Sequence, residues 1–368
     1  MSNKVLGVII NPIAGVGGKA GLKGSDGEEI QKLAKERGSE NASPRRAQIA
    51  LSILREITPD VKVVTCPGEM GEDECRAVGL SPEILDIQLT YPTTPQDTEL
   101  AVKKMMARGV DLLLFAGGDG TARNVWAASG GNIKVIGIPT GVKIHSAVFA
   151  KTPRYAGLLA ADYLSGKASS IRELEVMDID EEAYRNGRIL TQLYGYLPVP
   201  FVIGMVQKLK ASSSNEPSVL NAIAADICER MEDDCYYIVG AGTTTKCIAD
   251  YLDLKKTLLG VDIIYQREIL LEDLSEKELV SFIRGKNAKI IITPIGGQGF
   301  LFGRGNQQLS RNVIDIVGVK NVIVIATPQK IADLKGMPFF IDLDNAEGLF
   351  PQYIRVVTGY HQEMVYPV

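Results

Sequence analysis

Short apolar runs, each bounded by turn residues, constrain this chain more than any other feature: Val5 to Ile10, Val61 to Thr65, Asp111 to Phe115, Lys134 to Ile138, Tyr236 to Val239, Val261 to Tyr265, Lys289 to Ile292 and Val322 to Ile325. Runs of this length read as strands buried on both faces. Between them lie amphipathic stretches with helix-start signals: Thr94-Pro95-Gln96-Asp97, Ser275 with Glu278 three residues on, and Thr327 before Pro328. Strand alternating with helix means a parallel sheet and an α/β fold. At 368 residues the chain is longer than one ordinary domain. The expected architecture is an N-terminal Rossmann-like parallel-sheet domain, residues 1–150, and a second domain, residues 151–368. The second should hold an antiparallel β region at about 171–204, with Ile171 to Ile179, Arg188 to Tyr196 and Val199 to Ile203 as consecutive strands and Asn186-Gly187 as a hairpin turn. Further α/β elements follow at about 217–345, after a polar loop, Lys210 to Pro217, expected to be the mobile segment.

Forty Lys and Arg stand against 44 Asp and Glu, a net charge of -4. That balance argues against a partner held by overall field, so neither nucleic acid nor an anionic membrane is expected, and any anion site must be local. The five cysteines include no CxxC spacing, and the two histidines, His145 and His361, do not neighbour the closest cysteine pair, Cys228 and Cys235. Reduced thiols are the better reading than zinc ligands. The N-terminus reads as a strand rather than a signal peptide, and no apolar run approaches the ~20 residues of a membrane span. A soluble, cytoplasmic protein is expected.

Glycines cluster after the strands, at Asn11 to Gly27, Gly117 to Thr121, Gly240 to Thr245 and Pro294 to Gly305. In open α/β sheets ligands sit beyond the carboxyl ends of the strands, where bare backbone lets N–H groups approach phosphate. The sharpest signal is Gly117-Gly118-Asp119-Gly120-Thr121, between a strand and a helix. There Asp119 can reach a substrate hydroxyl or a metal, or it can cap the helix. No GxxxxGK loop occurs, which excludes a P-loop enzyme. Gly15-x-Gly17-x-x-Ala20 imitates a dinucleotide fingerprint, but Gly21 to Gly27 cannot open the helix it requires. With no GxSxG and two histidines, a hydrolase triad lacks its parts.

Asn11-Pro12-Ile13-Ala14-Gly15 paired with Gly117-Gly118-Asp119-Gly120-Thr121 resembles the superfamily of NAD kinases and diacylglycerol kinases. Gly137-Ile138-Pro139-Thr140-Gly141 stands where those families carry their next glycine loop, Gly240 to Thr245 is similar to the NAD-kinase Gly-Ser-Thr-Ala-Tyr segment, and Thr293-Pro294-Ile295 to a later turn. Within the superfamily the chain looks most like the ATP-NAD kinase-like branch associated with acetoin catabolism, the AcoX type.

The resemblance implies a kinase that uses ATP and Mg²⁺ to phosphorylate a hydroxyl of a small molecule of the nucleotide or polyol class, with NAD the leading acceptor and a homodimer or homotetramer as the assembly. Asp119 is then a general base or a group that organises Mg²⁺; no protein metal ligand is nominated. Asn11, Pro12, Gly15, Gly17 and Gly18 line the phosphate loop, with Lys19 and Lys23 as cations. Gly117, Gly118, Gly120, Thr121, Arg123 and Asn124 surround the phosphates from the next loop and helix. Thr140, Gly141, Lys143 and His145 meet the same ligand, and Gly242, Thr243 and Thr244 bind nucleotide or cap a helix. Each lysine could instead be a solvated side chain, His145 a core histidine, and Trp126 core rather than a stacking platform. The cleft is expected where Asn11 to Gly18, Gly117 to Thr121 and Thr140 to His145 converge. The rival expectation is a nucleotide-binding sensor without turnover. A lipid kinase would want an exposed apolar or basic entrance that the composition does not offer.

Overall fold

The computed structural model describes residues 4–22, 32–34, 36–37, 39, 41–141, 144–168, 170–179, 191–207, 217–343 and 345–368. The chain divides into two units, one of Met1–Val16 and Glu40–Leu209, the other of Gly17–Ser39 and Lys210–Val368. Residue 150 therefore lies inside the first unit.

In the first unit β1 (Val5–Ile10), β2 (Lys62–Thr65), β3 (Glu83–Ile84), β4 (Leu112–Gly117) and β5 (Val135–Pro139) form one parallel sheet in the order β3-β2-β1-β4-β5. Helices α1 (Ala42–Ile57), α2 (Glu72–Ala77), α3 (Pro95–Ala107), α4 (Asp119–Ser129) and α5 (Pro153–Leu164) connect and flank the strands. The period of two along β1 divides the core: Leu6, Val8 and Ile10 pack with α1 and α5, while Ile9 packs with α3 and α4. Strand order reverses on the two sides of β1, so the carboxyl ends of β1 and β4 meet at a topological switch point. As expected from Thr94 to Asp97, α3 starts with Pro95 and a capping box.

A hairpin of β6 (Ile171–Ile179) and β7 (Thr191–Pro200) completes this unit. Two strands were expected where β7 runs unbroken from 191 to 200. Pro198 and Pro200 suggest a break in sequence, yet a two-stranded ladder tolerates them because each strand has one edge free of pairing. Asn186, Gly187 and Lys210 to Glu216 lie outside the described residues. The hairpin covers α4 closely: a Cβ on Gly195 would stand 2.2 Å from Nε1 of Trp126, which is half-buried against the core as expected.

The second unit holds α6 (Pro217–Glu229), β8 (Tyr236–Val239), α7 (Thr243–Tyr251), β9 (Asp262–Tyr265), β10 (Glu268–Leu271), α8 (Glu276–Ile283), β11 (Ala288–Ile292), β12 (Phe300–Phe302), α9 (Arg311–Val317), β13 (Val322–Ile325), α10 (Pro328–Ala332), β14 (Phe340–Ile341), β15 (Tyr353–Gly359) and β16 (Gln362–Pro367). Its main sheet has the order β10-β9-β8-β11-β13-β15-β16, with β8, β11, β13 and β15 parallel. β9 was expected to be parallel and is antiparallel to β8. The cause is the loop after α7, which returns to the carboxyl edge of β8, where Leu258 O accepts the Gly242 amide at 2.9 Å, so β9 must enter from that end. A buried Lys256–Asp262 pair, 3.6 Å apart, fixes the loop, with Lys256 Nζ also donating to Thr257 O and Gly260 O.

Helix α1 packs closely on α5. A Cβ on Gly157 of α5 would meet Ala50 O at 2.3 Å, a backbone atom that cannot turn away. Alanine gains about 1 kcal/mol of helix propensity over glycine, but overpacking costs roughly 1–3 kcal/mol. Gly157→Ala should therefore lower the urea midpoint of unfolding; an unchanged or raised midpoint would contradict this packing.

Candidate active site

Three loops meet at the carboxyl edge of the first sheet. Asn11 joins the first to the second: its N–H donates to Ala116 O at 3.0 Å, its Nδ2 to Thr121 Oγ1 at 3.0 Å, and its Oδ1 accepts the Ile13 amide at 3.2 Å. Pro12 is buried beside it. Gly15 has φ +84°, and a Cβ there would stand 2.2 Å from Thr140 O and 3.2 Å from the Ala42 Cβ that opens α1. The third loop docks on the second through Thr140 N and Gly141 N, which both donate to Gly117 O. A Cβ on Gly141 would lie 2.9 Å from the Gly118 Cα, and one on Gly117 would overlap Thr121. These glycines let three backbones touch. Gly120 differs, because a Cβ there would have no heavy atom within 4 Å beyond its chain neighbours and the backbone of its own helix. Packing does not demand its bareness.

Asp119 is the first residue of α4 and only 6% exposed. Its Oδ2 accepts the His145 amide at 2.7 Å and faces His145 Nδ1 at 3.1 Å, and its Oδ1 accepts the Ser146 amide at 3.0 Å. It does not cap α4, whose cap residue is Gly118 without a side-chain bond. Its carboxylate instead fastens the β4–α4 turn to the loop after β5. That loop is held from the other side too: Ser146 Oγ donates to Met177 O at 2.7 Å and accepts Met177 N at 2.9 Å, and Ala147 N donates to Glu175 O.

Asn11, Pro12, Gly15, Gly117, Gly118, Asp119, Gly120, Thr121, Thr140, Gly141 and His145 are thus gathered at one edge, with Asn124 half-buried one turn along α4. Lys143 and Lys23 lie outside the described residues. Arg123, expected to face an anion, pairs with Asp178 of β6 at 3.0 Å and lies over the Tyr194 ring.

Gly17, Gly18 and Lys19 belong to the second unit, so the glycine-rich loop changes unit after Val16. A Cβ on Gly18 would stand 2.4 Å from Gln307 Oε1, and Lys19 pairs with Glu276 at 3.5 Å while its carbonyl accepts the Glu276 amide. Gly242 caps α7 with φ +125°, and Thr244 Oγ1 accepts Lys330 Nζ at 2.8 Å. Lys330, which is buried and also donates to Thr293 Oγ1 at 3.1 Å, was not singled out in the sequence. Its signal was present in the Thr327-Pro328 helix start just before it. Thr245 bonds back to Gly240 O and Gly242 O. A cavity of about 320 Å³ in the second unit, lined by Tyr237, Lys289, Val324 and Arg355 among others, contains none of the expected site residues.

All five cysteines are buried and free. Burial pushes the thiols of Cys66, Cys75 and Cys247 up to about 12, which makes them structural rather than nucleophilic. Among the described residues no three His, Cys, Asp or Glu side chains cluster as a metal cage, and no helix is long and apolar enough to cross a membrane.

The family model for the ATP-NAD kinase N-terminal domain matches residues 6–168, and that for the ATP-NAD kinase C-terminal domain matches residues 232–368. Among solved structures, a protein described as a diacylglycerol kinase from Bacillus anthracis str. Sterne is 16% identical over 49% of this chain and 46% of its own, with a TM-score of 0.27. This chain thus aligns with about half of that protein's length. A protein described as a UDP-N-acetylglucosamine 2-epimerase from Listeria monocytogenes is 13% identical over 93% of this chain and 84% of its own, with a TM-score of 0.25. Scores this low carry no argument about either fold or activity. No curated protein sequence matches.

Gly15 offers a direct check on the three-loop edge. Alanine at φ +84° costs about 1–2 kcal/mol and would also collide with Thr140 O, so the loop must leave its seat and be restored on binding. Gly15→Ala should weaken MgATP binding about tenfold or more, since about 1.4 kcal/mol is a factor of ten. Titration calorimetry showing unchanged affinity would remove Gly15 from the nucleotide site.

Proposed function

We propose, for a chain that belongs to the ATP-NAD kinase family, a phosphotransferase that moves the γ-phosphoryl group of ATP to a hydroxyl of a small molecule of the nucleotide or polyol class, NAD being the leading acceptor. The observation that carries this reading is the placement of Asp119 and the open Gly120 at the switch point of the first sheet, with the Asn11–Gly15 loop bonded to the same turn. Phosphoryl transfer asks a protein mainly for positioning and charge stabilisation. The first-turn amides of α4 lack partners inside the helix and suit an anion at its N-terminus. Asn11 ties that turn to the Asn11–Gly15 loop, so both sides of a polyphosphate would be held by one bonded frame. Glycine at position 120 costs helix stability that packing does not recover, as suits close passage of a phosphate.

Mg²⁺ would neutralise the phosphates of the nucleotide that carries it. The absence of a three-residue acidic or histidine cluster among the described residues fits a metal held largely by phosphate oxygens and water. Resemblance of residues 11–27, 137–150 and 292–310 to the acetoin-catabolism AcoX-type branch supports assigning the chain there. Buried reduced thiols support a cytoplasmic setting, and the family resemblance supports a homodimer or homotetramer. One observation favours a second reading, a nucleotide sensor without turnover: the Asp119 carboxylate is taken up by the His145 and Ser146 amides and the His145 ring, a structural use.

An assay of ADP release with MgATP and NAD, or a panel of polyols, decides between them. Turnover is expected, and Asp119→Asn should reduce kcat by roughly 10²–10⁴-fold with little change in KM for ATP. Nucleotide binding without turnover on any acceptor would favour the sensor, and a near-normal rate in Asp119→Asn would remove Asp119 from the reacting centre.

A further inference from the structure

We infer that His145 takes the proton of the acceptor hydroxyl and that Asp119 is the positioning residue behind it; the inference rests on the phosphotransferase reading and deepens it. Asp119 is poorly placed to meet the substrate itself. Its side chain keeps 5% of its surface, and its two oxygens already face three nitrogens: the amides of His145 and Ser146 and the His145 ring. A hydroxyl would have to displace one of those donors to come within the 2.6–3.2 Å that proton transfer requires.

His145 is placed differently. A carboxylate accepts and does not donate, so the ring nitrogen 3.1 Å from Asp119 Oδ2 must be the one carrying hydrogen. In the neutral ring this leaves the lone pair on Nε2. That atom makes no hydrogen bond among the described residues. Among the described residues of the first unit, the fully buried side-chain atoms without partners are Ser43 Oγ, Glu74 Oε2 and Thr140 Oγ1, and Nε2 is not one of them. It therefore lies in the 7% of the side chain that remains exposed. The ring is also held still. Its own amide is bound by Asp119, and the next residue is clamped by Met177 on both sides of its hydroxyl and by Gln207 Nε2 at its carbonyl. A basic nitrogen facing outward, with its partner nitrogen and its backbone both anchored to one buried carboxylate, is the arrangement that orients a general base.

In the step this implies, the acceptor O–H bond gives its proton to Nε2 as the oxygen bonds to the γ-phosphorus. The bond from that phosphorus to the bridging oxygen breaks, and ADP leaves with the electron pair. Asp119 then stabilises the imidazolium across the Nδ1 contact until solvent takes the proton.

The test uses purified full-length protein, MgATP and NAD. His145→Gly should lose roughly 10²–10⁴-fold in kcat with KM for ATP changed less than about threefold, and added imidazole should restore part of the rate by occupying the vacated space. A rate near wild type in His145→Gly, or a loss that imidazole does not relieve, would overturn the inference while leaving the kinase reading intact. A wild type inert toward every acceptor would overturn that reading and this inference together. Should His145→Gly fail to fold, nitrogen-15 NMR of histidine-labelled wild type decides. With only two histidines, His361→Gln assigns the signals. The expected state of His145 is the Nδ1–H tautomer, lost in Asp119→Asn; an Nε2–H tautomer in the wild type would overturn the inference.

Discussion

A carboxylate removed from water is tolerable only when donors surround it, and the donors around Asp119 come from a loop 26 residues away in sequence, at His145, and from its neighbour Ser146. This contact ties the turn after β4 to the loop after β5. Through Ser146 it reaches the β6–β7 hairpin, and through Thr121 and Asn11 it reaches the loop after β1. Asp119 is therefore a structural centre of this edge.

Glycines make the contact possible. At 15, 117 and 141 a side chain would strike another backbone or the first turn of α4, so these positions are set by the approach of one loop to the next. Gly120 has no such neighbour. The contrast separates glycines that close contacts demand from one that no contact beyond its own helix demands.

Much of the first unit was legible because its strands are short, fully buried and separated by strong punctuation: Val5–Ile10 and Leu112–Gly117 lie where their apolar runs indicate, and the Gly117 to Thr121 segment forms a strand-to-helix turn. Strand direction was less legible. An apolar run such as Asp262–Tyr265 looks the same in either sense, and only the return of the preceding loop to Gly242 decides it. Proline obscured the continuity of β7 for the reason that proline usually breaks central strands. β15 and β16 were missed because exposed residues, Tyr353 and Arg355 in one and Gln362 to Val365 in the other, stand where a continuous apolar run was sought. The partners of Asp119 were hidden more deeply, since no local pattern tells which distant amides will reach a carboxylate. Lys330 was overlooked for a similar reason: a lysine on a short helix looks solvated until the fold brings it to Thr244 and Thr293.

The central claim is that nucleotide binds at the carboxyl edge of the first sheet. Amide hydrogen exchange followed by mass spectrometry, with and without MgATP, tests it without requiring knowledge of the acceptor. Slowed exchange is expected in peptides containing Asn11 to Val16, Asp119 to Asn124, and Thr140 or Ser146, because ligand contacts suppress local opening. Protection confined to the second unit, or none at saturating nucleotide, would contradict the account.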